Sequence, residues 1–284
     1  MQVDLPTRSA LRLRGRTLAW GTRTYVMGIV NITPDSFSGD GIEEPDLAVA
    51  YAQTQLERGS DILDIGAEST RPGHEPVSVQ TELARLIPVI RNARARMPAA
   101  LLSVDTYKPE VLRAAAEAGA DILNSVWGLP PALLDVAAER GMPVVAMHNK
   151  TEARYETDVM DEVLVFLEEA AGRAVRAGIP AERVILDPGI GFGKSAEHNL
   201  RILQQLPRVV ALGFPTLLGT SRKSTIGKLT GRDPEDRSYG TAATTALAIA
   251  AGIDVVRVHD VSQTRDVISV CDAIVRNWRP AGWT

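Results

Sequence analysis

Cysteine is almost missing from this sequence: one thiol, Cys271, stands among 284 residues. The chain can therefore neither close an internal disulfide nor build a thiolate cage around a metal. Val270 and Ile274 beside it read as a packed helix, which makes the thiol structural. Aromatic residues are scarce at 5%, and 31 Lys and Arg against 35 Asp and Glu leave a net charge of −4. Without a basic surplus or stacking aromatics, the chain lacks the footprint of a nucleic-acid binder. The four histidines, His74, His148, His198 and His259, contain no pair four residues apart that would suit zinc on a helix. No run approaches the ~18 consecutive apolar residues of a membrane span. The opening Met-Gln-Val-Asp-Leu-Pro lacks the apolar stretch of a signal peptide. Together these absences predict a soluble, cytoplasmic protein whose partners are small molecules rather than nucleic acid or membrane.

What the chain does have is apolar content, 45%, enough for a sizeable core. Short segments rich in Val, Ile and Leu recur along its whole length, at Val26–Asn31, Ile62–Gly66, Leu101–Asp105, Ile122–Ser125, Val144–His148, Val184–Asp187, Thr216–Gly219 and Val255–His259. Each is followed by a Gly, Pro or polar cluster, the pattern of buried parallel strands covered on both faces. Helical spacing separates them, most clearly at Val111-Leu112-Ala115-Ala116-Ala118 and Val163-Phe166-Leu167-Ala170-Ala171. Gly119, Gly141, Gly178 and Gly252 fall just past such helices, where a left-handed cap favours glycine. Eight strand–helix units without a linker predict one α/β domain over residues 1–284, a (β/α)8 TIM barrel. A doubly wound parallel sheet is the alternative, although such sheets usually stop at about five or six strands. Leu11–Arg14 and Thr17–Trp20, with Gly15 between, predict an N-terminal β-hairpin over about residues 11–25 that plugs the barrel bottom.

Asn31, Asp105, His148, Asp187 and His259 all fall at carboxyl ends of predicted strands, the face where barrels of this type carry active sites. Residues two apart on a strand share a face, so Ser103 points with Asp105, Ile122 with Asn124, and Arg257 with His259. If Asp105, Asn124 and Asp187 converge, they offer carboxylates and an amide suited to a flat heterocycle bearing N–H donors and a carbonyl. Each taken singly also fits a strand-end cap or a structural brace. A second group, Lys223, Arg257, His259 and Asn31, is suited to phosphate, and the Asn31 amide oxygen would be a modest Mg2+ ligand. The plain alternative is a surface ion pair such as Arg257 with Asp260. Two more tempting motifs fail, as the histidines do for zinc. Gly189–Ser195 resembles a P-loop with Pro188 in place of its first glycine, Gly-Thr-Ser-Arg-Lys lacks the second glycine of a nucleophile elbow, and no hydride-transfer fingerprint occurs. The polar loops Thr33–Gly41 and Glu68–Pro76 follow strands one and two, where lids form, although ordinary solvated linkers have the same composition.

Seven stretches occur in order: Asn31-Ile-Thr-Pro-Asp-Ser-Phe-Ser, Asp64-Ile-Gly-Ala-Glu-Ser-Thr-Arg-Pro-Gly, Ser103-Val-Asp-Thr, Asp121-Ile-Leu-Asn, Leu186-Asp-Pro-Gly-Ile-Gly-Phe-Gly-Lys, Thr220-Ser-Arg-Lys-Ser and Arg257-Val-His-Asp-Val. In these the chain resembles the dihydropteroate synthases over nearly its whole length. The resemblance implies a transferase of folate biosynthesis that joins 6-hydroxymethyl-7,8-dihydropterin diphosphate to p-aminobenzoate. It implies that Asp105, Asn124, Asp187 and Lys223 hold the pterin and that Phe192 lines the same pocket. Arg257 and His259 match the diphosphate-binding pair, Asn31 the Mg2+ ligand, and Ser221 the residue beside the p-aminobenzoate carboxylate. Asp35 and Phe37 match a first loop, and Thr70, Arg71 and Pro72 a second. Catalytic roles then fall to Asp35, Lys223, Arg257 and His259. Barrels of this family resemble homodimers, and Thr264–Asn277 is one candidate surface. Ser38–Gly41 and Met147–Tyr155 depart from the family pattern. Two other readings stay open: a pterin-dependent methyltransferase acting on methyltetrahydrofolate, and a pterin-binding protein without activity.

Overall fold

The structure, a computed structural model, describes residues 9–33, 42, 44–68 and 76–283. Its first element is an antiparallel hairpin of β1 (Leu11–Leu13) and β2 (Arg16–Leu18). Arg14 and Gly15 between them have φ of 49° and 72°, the left-handed pair of a two-residue turn whose twist matches the strands. The predicted hairpin is thus present but shorter, because Tyr25 already opens the barrel.

Eight parallel strands follow: β3 (Tyr25–Asn31), β4 (Ile62–Gly66), β5 (Leu101–Asp105), β6 (Ile122–Ser125), β7 (Val144–Met147), β8 (Val184–Asp187), β9 (Leu217–Leu218) and β10 (Val255–Val258). They pair in chain order, and β10 returns to β3. Between β8 and β9 the barrel closes through one parallel bridge, Leu186 with Thr216, where the Leu186 N–H donates to the Pro215 carbonyl at 2.8 Å. The doubly wound alternative is excluded by this closure. β9 is two residues long where four were predicted, and a buried carboxylate takes up the freed backbone. Asp254 accepts from the Thr216 N–H at 2.9 Å and its hydroxyl at 3.0 Å, and from the Gly21 N–H at 3.0 Å.

Strand parity divides the core. Val30, Leu63, Ile65, Leu102, Val104, Leu123 and Leu186 face outward and pack under the helices. Met27, Ile62, Leu101, Ile122, Val145, Ile185, Leu217 and Val255, one from each strand, fill the bottom of the barrel. Leu11, Leu18 and Trp20 cover that layer from below, so the hairpin plugs the barrel as the sequence predicts. The predicted helix ends also hold: Gly119 and Gly252 cap their helices with φ of 115° and 97°.

Candidate active site

Above the apolar layer the interior turns polar, and its centre is a residue the motif reading passed over. Asp64 lies in β4 between Leu63 and Ile65, which face the helices, so its carboxylate points into the barrel. It is completely buried. Oδ1 accepts from the Ser103 hydroxyl at 2.6 Å, and Oδ2 accepts from the Asn124 amide at 2.9 Å and Arg257 Nε at 2.6 Å. Three strands thus donate to one carboxylate, which offsets the cost of burying it. Arg257 also donates through Nη2 to Asp105 Oδ2 at 3.1 Å. Burial works against the Arg257 cation, yet Asp64 and Asp105 outweigh it and raise its pKa.

Asp105 and Asn124 are register partners on β5 and β6. Asp105 Oδ1 is buried and accepts no hydrogen bond. Burial, followed by the negative charge of Asp64, pushes the Asp105 carboxyl up to about 7 against the pull of Arg257. Asp187, at the end of β8, is pushed up by burial to about 6, with the Gly189 N–H, Lys223 and Lys194 opposing. Gly189 donates that N–H to Asp187 Oδ1 at 2.7 Å. Its φ is 70°, and a Cβ there would lie 1.9 Å from the His148 carbonyl, so only glycine allows this approach. The charge of Arg257 reaches Asp64, Asp105 and Asp187 alike. The carboxylates predicted to converge therefore share one electrostatic site, a common mark of functional pockets.

Lys223 extends over Phe192, its Nζ 3.9 Å from the ring centroid. The loop that delivers it is fastened from behind. Arg222, at φ 58°, donates to both oxygens of Asp260, at 3.0 and 2.7 Å. The expected plain alternative, Arg257 with Asp260, is thereby corrected: Asp260 is occupied by Arg222, and Arg257 faces the interior because it shares strand parity with Val255. Ser221 Oγ lies 2.9 Å from His259 Nδ1 and accepts the His259 N–H at 3.2 Å, so the ends of β9 and β10 are tied together. Asn31 ends β3, beside β10. Asp35, Phe37, Thr70, Arg71, Pro72 and Ser38–Gly41 lie outside the described residues.

Two further networks escaped sequence reasoning. Lys194 donates to His148 Nδ1 at 2.8 Å and to the Phe192 carbonyl at 3.0 Å, bracing the loops after β7 and β8. Burial lowers Lys194 to about 7, and burial with the Lys194 charge drops His148 to about 3. Lys108 joins Glu68, Glu82 at 2.7 Å and the Val77 carbonyl at 2.8 Å, linking the end of β4 to the helix Val79–Arg96. The departing segment Met147–Tyr155 packs on the loop after β8, beside Lys194: Tyr155 donates to the Gly193 carbonyl at 2.9 Å, and Lys150 lies 4.3 Å above its ring. A lone charge inside an apolar strand was the available signal for Asp64. Lys194 stands out only as the lysine of the P-loop look-alike and the end of a family-like stretch, neither of which points to His148.

Residues 27–259 match the family model described as pterin binding enzyme. The dihydropteroate synthase of Bacillus subtilis is 44% identical over 277 residues, covering 96% of each chain. A structure of Xanthomonas albilineans dihydropteroate synthase with 4-aminobenzoic acid superposes with a TM-score of 0.87 at 46% identity, over 95% of this chain and 99% of that one. The Xanthomonas enzyme in complex with 7,8-dihydropteroate gives 0.84 at 44% identity, over 95% and 99%.

Proposed function

The chain belongs to the pterin-binding enzymes and, among them, to the dihydropteroate synthases, and from that premise we propose how its residues carry out the reaction. The enzyme is a transferase of folate biosynthesis. The amino nitrogen of p-aminobenzoate bonds to the methylene carbon of 6-hydroxymethyl-7,8-dihydropterin diphosphate. The C–O bond to diphosphate breaks with its electron pair leaving on oxygen, and one amino proton is released.

The observation that carries the reading is Asp105 Oδ1, a buried acceptor without a donor, in a pocket shared with Asn124 and Asp187. Such a pocket wants a flat ligand with N–H donors, and a pterin supplies them. Lys223 over Phe192 closes one side of it. Arg257 and His259 take the diphosphate, and Ser221, held by His259, faces the p-aminobenzoate carboxylate. Asp35, Thr70, Arg71 and Pro72 keep the loop roles that the family resemblance implies. With an electron-rich ring beside the methylene, departure of diphosphate runs ahead of attack, so the protein needs cations and excluded water rather than a nucleophile.

Among the described residues no cluster of three or more His, Cys, Asp or Glu side chains could hold a metal. The Asn31 amide oxygen would be the protein's donor to Mg2+, which prefers few protein oxygens and binds largely through substrate phosphates. Bound there, the ion would offset charge on the leaving diphosphate. Homodimer formation is supported by an exposed apolar face on the last two long helices, Ser238–Ala251 and Val261–Val275, where Tyr239, Leu247, Val270 and Ile274 are 90, 65, 61 and 78% exposed. Among the described residues no helix is long and apolar enough to cross a membrane. A cytoplasmic location and a single domain over residues 1–284 complete the reading.

The test mixes purified protein with the dihydropterin diphosphate, Mg2+ and p-aminobenzoate, then measures dihydropteroate and pyrophosphate. Both products are expected in equal amounts, each dependent on all components, with sedimentation of the same sample reporting a dimer. Pterin binding without product would leave an inactive binding protein, the alternative that kinship alone disfavours. The methyltransferase reading is not favoured, since relatives covering nearly the whole chain are dihydropteroate synthases.

A further inference from the structure

We propose that Asp64 is a positioning residue for ligand specificity: by accepting the Asn124 amide N–H it forces the Asn124 carbonyl oxygen toward the pocket, so that the site reads ring donors and rejects ring acceptors. The proposal rests on the pterin-binding reading and goes past it by assigning the residue that sets the polarity of the pocket.

The argument is one of hydrogen-bond accounting. An asparagine amide has a donor end and an acceptor end of nearly equal shape, and only its partners decide which faces where. Here the donor end is bound to Asp64 Oδ2 at 2.9 Å. Asp64 cannot turn away, because Arg257 holds the same oxygen at 2.6 Å and Ser103 holds the other at 2.6 Å. A carboxylate is the only side chain of this size that accepts from all three without presenting a proton of its own. A leucine at 64, of similar bulk, accepts from none of them, and the Asn124 amide, with nothing left to hold its donor end, would turn its NH2 toward the pocket. The pocket would then offer N–H where Asp105 Oδ1 beside it still awaits a donor. A ring complementary to one group would clash with the other.

The carboxylate at 64 also acts on Asp105. The charged groups around Asp105 are Asp64, Arg257, Glu82 and Glu68. Among them Asp64 contributes most, after burial, to its raised pKa. Removing that charge moves Asp105 toward the ordinary carboxylate range, an effect no loss of packing would imitate.

The experiment uses 6-hydroxymethylpterin, which carries the ring and lacks the diphosphate, so that Arg257 contacts with the leaving group do not enter. Calorimetric titration of the wild-type protein is expected to show binding, and its absence would overturn the pterin reading and this proposal with it. In Asp64→Leu the dissociation constant should rise about tenfold or more, as expected when buried donors are left unpaired. Asp64→Asn, whose carbonyl still accepts from Arg257 and Asn124 while its NH2 donates to the Ser103 hydroxyl, should bind as the wild type does. Should Asp64→Leu fail to fold, Asn124→Asp alone tests the contact from the other side. It places two carboxylates together, so ring binding should hold at low pH, where one is protonated, and fall as pH rises. Wild-type affinity in Asp64→Leu, a tenfold loss in Asp64→Asn, or pH-independent binding in Asn124→Asp would each overturn the assignment.

Discussion

The two ends of the barrel interior are built from the same eight strands and obey opposite rules. At the bottom every strand contributes an apolar side chain, and Leu101, Ile122 and Ile185 are completely buried beneath the hairpin. Two residues further along, about 6.6 Å at a strand's rise, the same inward faces carry Ser103, Asn124 and Asp187. The bottom is held by contact area, which is non-directional and tolerates exchange of similar shapes. The top is held by a few directed bonds, and three carboxylates, Asp64, Asp105 and Asp187, share the field of one guanidinium. The difference teaches where this protein stores stability and where it gives some up. Asp105 Oδ1 is left without a donor, a state that a stability-driven interior would have eliminated.

Arg257→Ala should give the largest effect and would break the comparison at its most charged point. Loss of a cation on the leaving group should lower kcat on the order of 10²–10³-fold, as does removal of one oxyanion-hole donor elsewhere. Asp64 and Asp105 would also lose their shared partner, at roughly 3–5 kcal/mol of stability. Steady-state kinetics alongside a denaturant melt separate the two, and an unchanged kcat would mean that the diphosphate lies elsewhere. Leu101→Ala sharpens the contrast from below. It should cost roughly 2–5 kcal/mol by transfer and cavity terms, while kcat and KM of the folded enzyme stay as in the wild type. A bottom-layer variant that lost turnover in its folded fraction would show the two ends to be coupled.

This division explains what could be read from the sequence. The eight strands, their inward parity, the capping glycines and the plugging hairpin follow from local apolar pattern and turn chemistry. So does the grouping of Asp105, Asn124 and Asp187, since Asp105 and Asp187 close their strands and Asn124 lies one residue short of the end of its own, all at the same end of the barrel. Contacts across the barrel did not follow. Arg257 finds Asp64 over 193 positions of sequence and Asp105 over 152, and no local pattern chooses these over nearby Asp260. Asp64 was visible as a charge inside an apolar strand, but its task depends on Ser103, Asn124 and Arg257, which three other strands supply. Lys194 meets His148 only because three glycines, Gly189, Gly191 and Gly193, let the intervening loop fold back at positive φ.

Asp105→Asn tests the comparison most finely, because its expected effect on stability has the opposite sign to that of Leu101→Ala. In the folded protein Asp105 titrates at about 7, against an ordinary 3.8 when exposed. Between those values the folded state holds a proton that the unfolded chain has released. Stability from this group is therefore highest at acid pH and falls as pH rises from about 4 to about 7, staying low above. Asp187, raised to about 6, adds to the decline in the same direction. An asparagine has no such proton to lose, and its carbonyl can still accept from Arg257. The variant should show a shallower loss of unfolding free energy between pH 5 and pH 8 than the wild type, a difference on the order of a few kcal/mol at the upper end, and it should bind pterin poorly. Equal pH slopes in the two proteins would mean that Asp105 is not strained by its surroundings. A shallower slope with lost binding would show that the acceptor is retained at the expense of the fold, which is what separates this end of the barrel from the other.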